Sequence, residues 1–231
     1  TALALAVGSL VEALPMFFNK SNVKEIAGVT PYTPLEVVGR DIYVREGCYN
    51  CHSQLVRPFL YETERYGEYS KAGEYVYDRP FQWGSKRTGP DLHRVGGKYP
   101  SLWHVRHMQR PDSTTPGSIM PASPHLLTSH FDTSLIGAKM RALRTLGVPY
   151  SEGEIAVAAT TMAAQAATIA AEVEAQQGPT GLGDKEIVAL TAYLQRLGTD
   201  IRWTRPAAQP PFAASVAPAP SAPASSGGAS R

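Results

Sequence analysis

The segment Cys48-Tyr49-Asn50-Cys51-His52 decides the fold and the chemistry of this chain, because its spacing is C-x-x-C-H. In this pattern both thiols form thioether bonds to the vinyl groups of a haem, and the histidine reaches the iron. A thioredoxin-type dithiol would lie in a βαβ pattern, which the flanking sequence lacks, and a zinc site would need further cysteines. The sequence therefore predicts one covalent haem c, attached through Cys48 and Cys51, with His52 as a ligand of its iron.

A second iron ligand is predicted at Met120, in the loop Gly117-Ser118-Ile119-Met120-Pro121. A thioether is a common partner of a histidine ligand in electron-transfer cytochromes, and the proline can stiffen the turn. Met108, Met140 and Met162 fall inside helical patterns, so we expect them in the core. The histidines outside the motif remain alternative ligands: His93, His104, His107, His125 and His130.

Other residues near the motif are candidates for supporting contacts with the haem or its ligand. The segment Gly89-Pro90-Asp91-Leu92 offers the Pro90 carbonyl as an acceptor for the other ring N–H of His52, although an ordinary turn is the alternative. Arg57, Arg94 and Trp103 can bind haem propionates through charge-assisted or indole N–H hydrogen bonds. Each of these three is also a common surface or packing residue.

The composition agrees with one domain and excludes several other classes. The chain has 231 residues, of which 43% are hydrophobic, and a net charge of +2 from 22 basic and 20 acidic residues without a basic stripe. We therefore expect no nucleic-acid partner. The two cysteines are three positions apart, which excludes a framework of several disulfides.

Residues 1–18 are almost wholly apolar apart from Glu12 and would span about 27 Å as an α-helix, close to the thickness of a membrane core. We interpret them as a transmembrane anchor, with a secretory signal as the alternative. Because the numbering does not begin with methionine, we expect the anchor to be truncated here. Residues 19–32, hereafter the connector, are polar and join the anchor to the next domain.

The remaining sequence predicts a mainly α domain over residues 33–203. Thr33-Pro34-Leu35-Glu36 is a capping box, which predicts a helix leading to Cys48. Residues 56–88, hereafter the insertion, are rich in tyrosine and lack a clean period, so we expect irregular structure or a hairpin. Further helices are predicted over 101–108, 132–146 and 151–177, the third of which begins with a second capping box at Ser151 and Glu154. A last helix is predicted to be capped by Asp184. The tail, residues 204–231, is rich in proline, alanine and serine, which predicts disorder.

The haem-bearing helix, C-x-x-C-H, G-P-D-L, the Met-Pro loop and the final A-Y-L-Q-R-L-G resemble class I cytochromes c. More closely, residues 33–124 resemble the membrane-anchored mono-haem cytochrome c subunit of cbb3-type cytochrome c oxidase. The stretches that carry this resemblance are E-G-C-Y-N-C-H-S-Q-L-V-R-P, R-Y-G-E-Y-S, P-F-Q-W-G-S-K-R-T-G-P-D-L and W-H-V-R-H-M.

The resemblance implies an electron-transfer subunit of a proton-pumping oxidase, with no catalytic residue of its own. It implies thioether bonds at Cys48 and Cys51, a proximal ligand at His52 and a distal ligand at Met120. It also implies a single-pass protein of the bacterial inner membrane, in contact with lipid, with its haem domain in the periplasm. Electrons would pass from a di-haem cytochrome c subunit to the catalytic haem-copper subunit that reduces oxygen.

Two other classes of function share some of these features. An anchored cytochrome c shuttle, or the small subunit of a nitric oxide reductase, would have the same anchor, haem motif and methionine, but the tyrosine-rich insertion favours the oxidase. A haem gas sensor or peroxidase would keep one face of the iron open and would bind carbon monoxide when reduced.

Overall fold

A computed structural model describes residues 1–18, 23–84 and 86–201 of the chain. The tail with predicted disorder, residues 204–231, lies outside the described residues, as does the first part of the connector, residues 19–22.

The described residues are mainly α-helical. The helices are α1 (Ala2–Phe18), α2 (Pro34–Arg45), α3 (Leu60–Tyr66), α4 (Ser101–Gln109), α5 (Pro111–Thr114), α6 (Ile136–Thr145), α7 (Glu152–Ala156), α8 (Ala158–Ala175) and α9 (Glu186–Arg196). Short 3₁₀ turns lie at Cys48–Asn50, Ala72–Tyr75 and Pro124–Leu127. Across these ranges the β pairing is limited to one isolated antiparallel bridge, between His130 and Lys185.

Helix α2 begins where the sequence predicted. The Thr33 side chain accepts a hydrogen bond from the Glu36 backbone N–H, and the Glu36 carboxylate accepts one from the Thr33 N–H at 2.7 Å. The helix packs against α9 so closely that a Cβ on Gly39 would lie 2.6 Å from the Ala189 carbonyl carbon. This crossing forms the centre of the core and delivers the chain to Cys48.

Helix α9 also packs against α4 and α8. Because α9 contacts α2 as well, the first and last helices of the domain belong to the same core. The buried side of α8 carries small and aliphatic side chains: Ala158, Met162, Ala166, Ile169, Ala170 and Val173. Met140 and Met162 are fully buried and Met108 nearly so, which agrees with their predicted role as core residues.

The structure corrects three details of the predicted helices. The segment predicted as one helix over 151–177 is divided into α7 and α8 at Val157, although Ser151 and Glu154 do form the expected capping box. Asp184 does not cap α9, because the N-cap is Lys185 and the Asp184 carboxylate instead pairs with His130 at 2.7 Å. The described part of the insertion contains α3 and a 3₁₀ turn rather than a hairpin.

Helix α1 occupies 17 residues of the predicted anchor. Six of its leucine and valine side chains are exposed: Leu3, Leu5, Val7, Leu10, Val11 and Leu14. None of the helices in the described ranges reaches the combined length and apolar character needed to cross a membrane.

Candidate haem site

The C-x-x-C-H motif lies in a tight turn directly after α2. Gly47, with φ of 70°, ends the helix in the left-handed region, and a 3₁₀ turn follows over Cys48–Asn50. The backbone N–H groups of Cys51 and His52 both donate to the Cys48 carbonyl, at 3.1 and 3.0 Å. The turn therefore holds both thiols and the imidazole on one short piece of backbone.

Neither cysteine forms a disulfide, and Cys48 is half-buried against the core whereas Cys51 is exposed. Burial, together with the nearby Glu46 carboxylate, raises the pKa of the Cys48 thiol to about 11. The described residues contain no group of three or more His, Cys, Asp and Glu side chains that could hold a metal ion.

The imidazole of His52 is oriented by the segment that begins at Gly89. Its Nδ1 lies 2.8 Å from the Pro90 carbonyl oxygen. Because a carbonyl oxygen can only accept, Nδ1 carries a proton, and in the neutral imidazole Nε2 then keeps its lone pair. A histidine in this tautomer can bind a metal through Nε2 while the second ring nitrogen fixes the orientation of the ring.

Gly89 lies directly against the face of this imidazole. A Cβ at this position would lie 2.7 Å from Nδ1 and 2.8 Å from Nε2 of His52, and closer still to Cε1. Because real Cβ atoms do not approach other atoms so closely, only glycine leaves room for the ring where it stands. The Gly89 N–H also donates to the Cys51 carbonyl at 2.9 Å, which fixes the two segments side by side.

Asp91 links the two segments further along. Its buried carboxylate accepts hydrogen bonds at 2.7 Å from the Ser53 hydroxyl and from the Leu55 N–H, and at 2.9 Å from the His93 N–H. Sequence reasoning did not identify Ser53 and Asp91 as supports of the site. For Asp91, the sequence did offer an indication, because this residue follows the predicted acceptor Pro90 in the segment G-P-D-L. These contacts fix the position of the backbone around His52, and the two cysteines outside any disulfide, the oriented imidazole and the glycine contact together fit a covalent haem.

Met120 is half-buried and packs against the edge of the core. Its backbone N–H donates to the Ser118 hydroxyl at 3.3 Å, and the Ser123 N–H donates to the Met108 carbonyl at the end of α4. The neighbouring side chain of Ile119 is 81% exposed. Met120 thus differs from the three core methionines, since part of its side chain remains accessible.

The predicted propionate partners are engaged with protein groups in this structure. Arg57 pairs with the buried Glu62 carboxylate and lies over the Phe59 ring. Trp103 stacks between Tyr99 and His107, with ring centroids 4.0 and 4.5 Å apart. Arg94 is buried and pairs with Glu74. Binding of propionates by these residues stays a prediction.

The other histidines differ in their surroundings. His125 and His130 lie on the surface beside Glu46 and Asp184. His93 is buried and contacts the Ser70 and Tyr75 hydroxyls.

His104 and His107 lie on α4. Burial lowers the pKa of His104 to about 4. Burial and the nearby His52 lower the pKa of His107, whose Nδ1 contacts the Thr114 hydroxyl at 2.6 Å.

A family model described as "Cytochrome C oxidase, mono-heme subunit/FixO" matches residues 1–201. A search among curated proteins gave no match.

Proposed function

Because this chain belongs to the FixO family, and so is the electron-transfer mono-haem subunit of a cbb3-type cytochrome c oxidase, we propose how it holds its haem. Cys48 and Cys51 form the two thioether links, His52 binds the iron through Nε2, and Met120 supplies the second axial ligand. The observation that carries this proposal is the hydrogen bond between His52 Nδ1 and the Pro90 carbonyl, 2.8 Å long.

The haem, when bound, supplies a centre that takes up and releases single electrons. The protein contributes fixed geometry. The Pro90 carbonyl holds the imidazole in one tautomer, Gly89 sets the position of the ring, and Asp91 ties the two backbone segments together. A thioether ligand at Met120 would favour a high reduction potential, as suits a relay between cytochromes.

As a subunit of this oxidase, the chain is membrane-associated and has other oxidase subunits as partners. In our proposal it receives electrons from a di-haem cytochrome c subunit and passes them to the catalytic haem-copper subunit. Helix α1 belongs to a single-pass anchor in the bacterial inner membrane, and residues 33–203 lie in the periplasm. The exposed leucine and valine side chains along α1 support an anchor, since water is a poor solvent for such a surface.

The variant Met120→Ala tests the second ligand. We expect the haem to stay attached, the reduction potential to fall and the reduced protein to bind carbon monoxide at neutral pH. The near-infrared charge-transfer band between methionine sulfur and ferric haem should disappear. Ile119→Ala is the matched control, because Ile119 is the neighbouring, strongly exposed residue of the same loop.

If the reduction potential and the near-infrared band were unchanged in Met120→Ala, the second axial ligand of the iron would be a residue other than Met120. Carbon monoxide binding to the unsubstituted reduced protein would instead favour an open iron face, as in a haem gas sensor. An alkaline pyridine spectrum checks the attachment itself, because thioether-linked haem gives a spectrum distinct from that of free haem.

A further inference from the structure

The connector is attached to the haem domain at the insertion. The Lys24 carbonyl and the Ile26 side chain lie against the buried Gly73, in the turn Ala72–Tyr75. A Cβ on Gly73 would lie 2.6 Å from Ile26 Cγ1 and closer still to the Lys24 carbonyl oxygen. The backbone of the connector therefore contacts the insertion without space for a methyl group between them.

A second attachment lies at the C-terminal end of α9. Arg196 donates to the Thr30 carbonyl at 2.9 Å and to the Thr30 hydroxyl at 3.1 Å. The same guanidinium pairs with Asp200 at 2.6 Å, and the Asp200 carboxylate accepts a hydrogen bond from the Thr30 N–H at 3.3 Å. The N–H, the carbonyl and the hydroxyl group of Thr30 are thus all hydrogen-bonded to the ion pair of Arg196 and Asp200.

A third attachment comes just before α2. The Tyr150 hydroxyl, between α6 and α7, donates to the Tyr32 carbonyl at 2.6 Å. The Tyr32 ring packs edge-on against Tyr193 of α9, with centroids 5.6 Å apart. From Lys24 to Tyr32, the connector is therefore held by the insertion, by α9 and by the loop before α7.

These contacts make this part of the connector a fixed strut rather than a flexible tether. A flexible tether lets a domain adopt many orientations, whereas a connector that is bound to its own domain leaves a shorter stretch of chain that can bend. Electron transfer becomes much slower as the distance between two redox centres grows, so one fixed orientation keeps the rate high.

We infer that connector residues 24–32 orient the haem domain within the oxidase, with Gly73, Arg196 and Asp200 as positioning residues. This inference rests on the proposed function, because it assumes that the haem lies at the Cys48–His52 turn. A haem domain held in this way keeps one orientation, unlike a cytochrome domain that changes its orientation to reach one partner after another.

The main test is Gly73→Ala in the purified oxidase. The added methyl group must displace the connector, because it would overlap with the Lys24 carbonyl and Ile26. We expect trypsin cleavage after the exposed Lys24 to become about tenfold faster, because overpacking at Gly73 favours the locally opened state of the connector, from which cleavage occurs. Gly153→Ala is the matched control, since the nearest atom to its Cβ would be 3.9 Å away.

A second variant, Asp200→Ala, releases the connector at its other attachment through different chemistry. It removes the acceptor for the Thr30 N–H and the partner of Arg196. We expect the same faster cleavage after Lys24. If a variant oxidase does not assemble, the other variant still tests the inference.

The decisive readout is the rate at which the oxidase's own electron donor reduces the haem of the catalytic subunit. We expect this rate to fall several-fold in both variants, with the absorption spectrum and midpoint potential of this subunit's haem unchanged. Faster cleavage with an unchanged rate would overturn the inference, and so would unchanged cleavage in both variants. Failure of the proposed function would appear differently, as a missing or altered haem in the unsubstituted protein.

Discussion

The contact between Gly89 and His52 gives a quantitative test of the site. In Gly89→Ala the new Cβ would lie 2.7 and 2.8 Å from the two ring nitrogens, so the imidazole must move. Overpacking of this kind costs about 1–3 kcal/mol. Movement of the ring also breaks the 2.8 Å hydrogen bond to Pro90, which contributes about 0.5–1.5 kcal/mol. Together the two effects should lower the free energy of unfolding by about 1.5–4.5 kcal/mol.

The assay is denaturant unfolding of the haem-bearing protein, combined with a pyridine spectrum to count attached haem per chain. We expect Gly89→Ala to be less stable, to carry less haem and to have a changed reduction potential, because the ligand has lost its fixed orientation. Gly183→Ala is a suitable control, since its nearest neighbour would be 4.0 Å away. If Gly89→Ala had the same stability, haem content and potential as the unsubstituted protein, the proposed orientation of His52 would be refuted.

Two further predictions concern the core and its pH dependence. Met162→Ala should lower the free energy of unfolding by about 2–5 kcal/mol, because Met162 is fully buried, yet leave the haem spectrum unchanged. Burial lowers the pKa of His104 from 6.5 to about 4, so between these values the unfolded chain binds more protons than the folded chain. The free energy of unfolding should therefore be highest above pH 6.5 and fall between pH 6.5 and 4. In the variant His104→Leu, the denaturant midpoint should fall less over the same pH range. An equal fall in both proteins would contradict the assigned pKa of His104.

Local sequence was enough for several features. The capping boxes at Thr33 and Ser151 were predicted correctly, because each is completed by a glutamate three residues later in the same turn. The mono-haem assignment followed from C-x-x-C-H and agrees with the matching family. The burial of the core methionines followed from helical periodicity, which depends on neighbouring residues alone.

Other features depend on residues that meet only in the folded chain. Asp184 has the right residue type for a helix cap, but His130, from a distant part of the sequence, takes its carboxylate. Three further contacts also join segments that are far apart in sequence. They are the packing of Gly89 against His52, the hydrogen bond between Ser53 and Asp91, and the attachment of the connector to Arg196. Sequence by itself determined the cofactor and the main helices, because these are encoded within a few turns. Only the tertiary structure decided the orientation of His52 and the path of the connector, because packing between distant segments fixes both.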